Sequence, residues 1–409
     1  MSLDFNKNQH ILIATSFVIF MTSLDAGIFN VILPTIAHSF SININIAQYS
    51  ISSYLFVVLI LVVPMGYIGS ILGKEIVYIS GIFVFLFGCL FAYIAYSFYA
   101  LILARLLQGT GAAMILASNQ AILVSSCKNS IDKRYFLSIN TAAVTLGTLL
   151  GPVLGGFLIE IIPCWQWIFL LFLLPGLFGL FFSFIYMPFS KKILFQLVCV
   201  FGSIAILIIT NAFVLLFNLE KYMVYGYCAA VVTLGVSVFS KNRKRFLGKN
   251  IANSKKQNIF LMFFSYVVLF ANNLSVSCYL SFRQFSSVNI GLILSIAPVM
   301  VMLSSLFAKK VIAKFSEHQV IKCGSLLLII ACLLVACFNE IIMCLVISQC
   351  MIGVAMGDLT PSISSLLYTS ISIEYYSVVS SIASLARNIG KMVGVIYPAM
   401  LLSFNFFPF

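Results

Sequence analysis

Charge is what this sequence has least of. Only 8% of its residues are Asp, Glu, Lys or Arg, and only 10 of the 409 are acidic, where a soluble domain carries about 25% charged residues. A chain so poor in charge cannot cover a water-facing surface, so a soluble globular enzyme is excluded. Histidine is scarcer still. His10, His38 and His318 stand in separate loops or helix ends, not in the clustered acidic and histidine sets that lipid or isoprenoid chemistry at a membrane face requires. The 11 cysteines include no CxxC and no Cys/His group at zinc-like spacing. Most, such as Cys89, Cys199, Cys332, Cys337 and Cys344, lie inside apolar runs, where they read as small packing residues. Neither a metal site nor a disulfide framework is expected.

What fills the chain instead is apolar. Hydrophobic residues make up 62%, Phe alone contributes 39, and the mean hydropathy is +1.13. The solvent of such a chain is mostly lipid. Runs long enough to cross about 30 Å of hydrocarbon as helix occur near 11–37, 46–68, 76–97, 99–124, 137–159 and 166–188. Two more follow at 193–218 and 222–240, and five at 258–280, 288–308, 320–338, 340–367 and 377–402. The first run is preceded by Lys7, but it is longer than a signal-peptide core, contains Asp25 and lacks a small-residue cleavage site, so it reads as a retained helix.

The net charge of +13 comes from basic residues in alternate gaps between these runs. One set holds Lys74, then Lys128, Lys133 and Arg134, then Lys191 and Lys192, then the stretch from Lys241 to Lys256, then Lys309, Lys310 and Lys314. The other gaps hold little beyond Glu160, Glu220, Lys221, Arg283 and Glu340. The positive-inside rule puts the basic set and the amino terminus in the cytoplasm. The basic pattern therefore reads as orientation, not as a nucleic-acid footprint, and the 241–257 stretch reads as a cytoplasmic linker that touches anionic headgroups.

A charge in the middle of a membrane helix costs at least about 2.5–3.5 kcal/mol and calls for a reason. Asp25 lies deep in the first run, where it reads either as a cation or proton site or as a structural hydrogen-bond partner. Arg105 lies in the fourth, with Gln108 on the same face at i+3. Its readings are a role in transport, or snorkelling to the nearby outer interface. Asp358, just after Gly357, divides between the same two readings as Asp25. Arg387 and Lys391 form an i, i+4 pair around Asn388, with Lys391 read as structural or interfacial and Arg387 left open. A second signal is the stretch Gly147-Thr148-Leu149-Leu150-Gly151-Pro152-Val153-Leu154-Gly155-Gly156. Its four-residue glycine spacing makes a flat face for close backbone approach, and Pro152 removes a backbone hydrogen bond and permits a kink.

Together these residues resemble the major facilitator superfamily, and within it the drug:proton antiporters with fourteen helices. The 147–156 stretch matches the antiporter motif GxxxGPxxGG at every defined position. Leu101 through Ala113 looks like the fourth-helix motif, whose arginine is implicated in proton coupling, here Arg105. Leu24-Asp25 through Pro34, including Asn30, is similar to the first-helix motif. Met351–Leu367 and Ser384–Gly394 resemble the late helices, with an RxxG element at Arg387 and Gly390. The match is strong through residue 188 and thinner after it. The loop that begins at Gly66 and carries Gly73 and Lys74 departs from the family pattern. Ser70 stands where Asp is expected and Ile71 where Arg is expected, in a charge cluster that latches the outward-open state.

The resemblance implies an all-α polytopic membrane protein with the major facilitator fold: two helical bundles plus two extra central helices. The hydropathy count of about thirteen spans departs from it, since a fourteenth helix is expected after residue 402 and none follows there. The expected parts are an amino-terminal six-helix bundle over 1–190, the two additional helices over 191–240, the basic linker over 241–257 and a carboxyl-terminal bundle over 258–409. The implied activity is proton-driven export of a small amphipathic organic compound such as a drug, siderophore or metabolite. Asp25, Arg105 and Asp358 would couple protons. Asn30, Gln108, Gly147, Gly151, Pro152, Gly155, Gly156 and Arg387 would line the cavity or gate it. No cofactor is implied beyond the proton gradient. The expected setting is the inner (plasma) membrane, as a monomer, with a small-molecule substrate, the lipid bilayer and a periplasmic adaptor as partners and no nucleic acid. Uptake is a rival reading. Another is a non-transporting or partner-dependent scaffold or sensor derived from a transporter, which the altered 66–75 loop and the missing last helix favour and the intact Asp25, Arg105 and Gly151–Pro152 oppose.

Overall fold

In lipid no water satisfies backbone N–H and C=O groups, so an apolar run crosses only if it bonds to itself as a helix. The computed structural model describes residues 2–47, 49–127, 129–161, 164–187, 253–284, 287–337, 342–369, 371 and 373–403, and among these all regular structure is helical. The amino-terminal part contains α1 (Ser2–Ser39), the short α2 (Ile44–Ala47), α3 (Tyr49–Leu72), α4 (Lys74–Tyr93), α5 (Phe98–Ser126) and α6 (Ser130–Ile161). A 3₁₀ turn over Trp165–Trp167 leads into α7 (Ile168–Leu171) and α8 (Leu173–Tyr186). The later part contains α9 (Asn253–Phe282), α10 (Ser287–Lys314), α11 (Glu317–Cys337), α12 (Ile342–Tyr368) and α13 (Tyr376–Ser403).

Among the described residues, 8 helical segments are long and apolar enough to cross a membrane: α1, α3, α4, α5, α6, the Trp165–Tyr186 stretch, α11 and α12. The long helices α9, α10 and α13 fall on the expected runs at 258–280, 288–308 and 377–402. The runs at 193–218 and 222–240 lie outside the described residues, as does most of the 241–257 linker. The end of that linker differs from expectation, because α9 already begins at Asn253.

The sixth run is not one continuous helix. The chain turns at Phe172, whose N–H bonds the Phe169 carbonyl at 3.3 Å in a tightened turn, and α8 restarts at Leu173. Pro175 stands in the first turn of α8, where its missing N–H is one of the donors that has no intrahelical partner in any case.

Helices in lipid gain little from burying apolar side chains against one another, so close packing rests on small residues. The α4–α5 contact shows this. An added Cβ at Gly111 would stand 2.6 Å from the Gly81 carbonyl oxygen, and one at Gly88 would stand 2.9 Å from the Gln108 backbone nitrogen.

The chain divides into two compact units. The first comprises Met1–Ser126, Leu150–Gly248 and Ile371–Ile382, and the second Cys127–Leu149, Lys249–Ser370 and Ala383–Phe409.

Candidate functional site

Within the first unit, α1 carries Asp25 and α5 carries Arg105, and the two meet in the interior. Asp25 is 0% exposed and Arg105 only 1%. Arg105 Nη1 donates to Asp25 Oδ1 at 2.9 Å and to Oδ2 at 3.0 Å. The same nitrogen donates to Gln108 Oε1 at 2.7 Å, and Arg105 Nε donates to the Ser50 carbonyl of α3 at 3.3 Å. The guanidinium carbon lies 4.0 Å from the centre of the Phe29 ring and 4.6 Å from that of Tyr54. Gln108 in turn donates through Nε2 to the Cys89 sulfur of α4 at 3.1 Å.

Groups from α1, α3 and α5 itself therefore converge on one guanidinium, and α4 joins the network through Gln108. Arg105 does not snorkel. Its charge is met by a carboxylate, an amide, a backbone carbonyl and two ring faces, so the interfacial reading of this residue is overturned. The expected i+3 relation with Gln108 is present as a hydrogen bond. Gly88 makes room for it, since an added Cβ there would stand 2.7 Å from Gln108 Cγ. Removing one member of such a buried pair leaves an uncompensated charge and costs about 3–5 kcal/mol.

The glycine stretch of α6 lies beside this site. An added Cβ at Gly151 would stand 2.6 Å from Gly27 Cα, and one at Gly155 would stand 3.3 Å from Ile28 Cα. These two glycines let α6 approach the turn of α1 that follows Asp25. Gly156 does not belong to that contact, since a Cβ there would meet nothing within 4 Å. Gly147 is buried and belongs to the second unit. The side chains of Asn30 and Pro152 lie outside the described residues.

Most of the expected 66–75 loop is helix, since α3 runs to Leu72 and α4 starts at Lys74, and the last turns of α3 are held close by small residues. A Cβ at Gly66 would collide with the Ser381 side chain, and one at Gly69 with that of Ser377. Ser70 is turned back on its own helix, donating to the Tyr67 carbonyl at 2.7 Å, while Ile71 is 62% exposed. Gly73 takes φ 106°, a left-handed conformation that suits glycine, and Lys74 pairs with Glu75 at 3.7 Å.

Asp358 belongs to the second unit and lies within electrostatic reach of Arg134. Arg134 is 5% exposed and gathers several acceptors. Its Nη1 donates to the Phe315 carbonyl at 3.3 Å, its Nη2 contacts Ser362 Oγ at 3.5 Å, and its Nε lies 3.9 Å from Glu317 Oε1. Ser365 donates to the same Glu317 oxygen at 2.7 Å. This cluster was not legible in the sequence, where Arg134 reads only as one more basic loop residue. Ser50, Phe29, Tyr54 and Cys89 were missed in the same way, because nothing in their local sequence marks them as neighbours of Arg105. Arg387, also of the second unit, is bonded to Ser384 Oγ at 2.7 Å and faces Met262 Sδ at 3.7 Å.

Fold and site together define a multi-pass α-helical membrane protein with an acid–base pair sealed between its spans. Residues 15–247 match the family model described as Major Facilitator Superfamily. That is more than half of the chain, and the chain belongs to this superfamily of transporters. The riboflavin transporter RibZ of Clostridioides difficile (strain 630) is 30% identical over 178 residues, covering 44% of this chain and 39% of RibZ. MdtD of Yersinia pestis (strain Pestoides F), named for multidrug resistance, is 35% identical over 180 residues, covering 43% of this chain and 37% of MdtD. The chain thus spans about two-fifths of the length of these curated relatives. Among solved structures, the proton:xylose symporter XylE bound to 6-bromo-6-deoxy-D-glucose is similar in fold. Its TM-score is 0.70 at 14% identity, covering 98% of this chain and 90% of that one.

Proposed function

We propose that this protein is a secondary active exporter of the fourteen-helix drug:proton antiporter type, carrying a small amphipathic organic compound outward as protons move inward. The observation that carries this reading is the Asp25–Arg105 pair, a carboxylate and a guanidinium kept fully buried inside membrane helices. Ionisable groups at such depth are costly to keep and mark ion and proton paths. The names of RibZ and MdtD favour a small organic substrate over an inorganic ion.

Asp25 would take and release the proton. Both of its carboxylate contacts come from the single nitrogen Nη1, a weaker hold than a two-nitrogen fork. When Asp25 is protonated, Arg105 keeps Gln108, the Ser50 carbonyl and the two aromatic faces, so the guanidinium is not stranded. Proton occupancy and substrate occupancy would then alternate as two helical bundles rock about the site. The glycine contact of α6 with α1 offers a surface on which such a movement reaches Asp25 directly. The proposed setting is the inner membrane, with the amino terminus and the basic loops in the cytoplasm.

Everted membrane vesicles energised by respiration test this, with internal pH read by a fluorescent weak base. Lipophilic cations, antibiotics, flavins and siderophores are added to wild-type, Asp25→Asn and Arg105→Ala vesicles. Antiport predicts substrate-induced proton efflux that both variants lose. Folded wild-type protein that moves protons with no compound in the panel would leave the non-transporting scaffold as the better reading.

A further inference from the structure

The first unit balances its buried charge, because Asp25 answers Arg105. Among its described residues, the second unit does not. Arg387 and Lys391 lie one turn apart on α13, both half-buried within a helix that continues to Ser403. Among the described residues, the Arg387 guanidinium's hydrogen-bond partners are both neutral, the Ser384 hydroxyl and the Met262 sulfur. The Lys391 ammonium lies 5.7 Å from the centre of the Tyr266 ring and 5.8 Å from that of Phe270. The sequences of α9, α10 and α13 contain no Asp or Glu at all. Glu317 and Asp358, the acidic residues of α11 and α12, are engaged with Arg134.

Two like charges one turn apart repel, and ring faces offset only part of the cost of removing a cation from water.

We propose that Arg387 and Lys391 bind the anionic group of the transported compound, a carboxylate, sulfonate or phosphate, while its aromatic body lies along Tyr266 and Phe270. The substrate class is then aromatic organic anions rather than lipophilic cations. This rests on the export reading above, because it assigns the cargo of that same transporter. An anionic lipid headgroup shares the chemistry, so the test separates the two sources.

The purified full chain is placed in phosphatidylcholine nanodiscs and titrated, by fluorescence anisotropy, with fluorescein and with rhodamine 123. The two dyes share one xanthene skeleton and carry opposite charge. Fluorescein is expected to bind and rhodamine 123 not to compete. Arg387→Gln and Lys391→Gln should each weaken fluorescein about tenfold, while Arg387→Lys and Lys391→Arg retain most of the affinity. Should a glutamine variant not fold, the wild type decides alone, because two cations predict an affinity that falls with added salt. The proposal is overturned if folded wild-type protein does not bind fluorescein, if rhodamine 123 binds at least as tightly, or if binding ignores both glutamines. It is overturned equally if phosphatidylglycerol nanodiscs abolish the binding, since the pair is then a lipid site. Binding needs no proton gradient, so failure here is distinct from failure of the vesicle experiment on Asp25.

Discussion

Gly151 of α6 meets Gly27 of α1 backbone to backbone, so closely that a methyl group on Gly151 would stand 2.6 Å from the Gly27 Cα. Gly27 is two residues beyond Asp25, so the glycine motif and the buried carboxylate belong to one structural feature. Gly151→Ala should therefore destabilise the folded chain by about 1–3 kcal/mol through overpacking. Gly156→Ala, where a Cβ meets nothing within 4 Å, should leave the melting temperature in detergent unchanged. Equal melting temperatures for the two variants would show that the α1–α6 contact is absent.

The Asp25–Arg105 pair makes a second prediction, about stability rather than transport. Asp25→Leu or Arg105→Met alone leaves one buried charge without its partner and should cost about 3–5 kcal/mol. The double variant removes both charges and should melt much closer to wild type, while remaining unable to couple protons. A double variant as unstable as the sum of the singles would mean that the two side chains do not interact.

Small residues hold the last turns of α3, the stretch that departs from the family pattern. A Cβ at Gly69 would collide with the Ser377 side chain, and its next neighbour, Lys74 Cα, is at 3.8 Å. Gly69→Ala should lower the melting temperature, and adding Ser377→Gly should restore most of the loss. Without that rescue, the contact between the end of α3 and the start of α13 is not what limits this position.

Cysteine chemistry checks both burial and orientation. Cys164 is exposed between α6 and α7, while Cys127 is buried just after α5. Burial, and next the nearby Asp132 charge, push the Cys127 thiol up to about 12. The thiolate is the reactive form, so at pH 8 Cys127 should resist maleimide, and its labelling should rise only as pH approaches 12. With each cysteine as the sole one in the chain, a membrane-impermeant maleimide should label Cys164 in intact cells and leave Cys127 untouched. Labelling of Cys164 only in everted vesicles would reverse the proposed orientation.

Hydropathy alone fixed the class of this protein and the position of most spans. Lipid leaves an apolar run no alternative to the helix, so a property of single residues suffices to place each one. The costly residues were legible for a related reason: a charge at membrane depth is conspicuous wherever it stands, and Asp25, Arg105, Arg387 and Lys391 could be singled out one by one. Their partners could not. Arg105 meets Asp25 across 80 positions of chain, takes Phe29 from the same helix as Asp25 and Ser50 and Tyr54 from one further stretch, and nothing local to those residues announces it. The motif glycines make the same point, since Gly151 and Gly156 are alike in sequence but only Gly151 packs against a neighbouring backbone. The break at Phe172 and the capture of Arg134 by Glu317 are likewise decisions of packing. Which helix faces which is set by shape and by the pairing of groups distant in the chain, and only the tertiary structure brings those groups within a few ångströms.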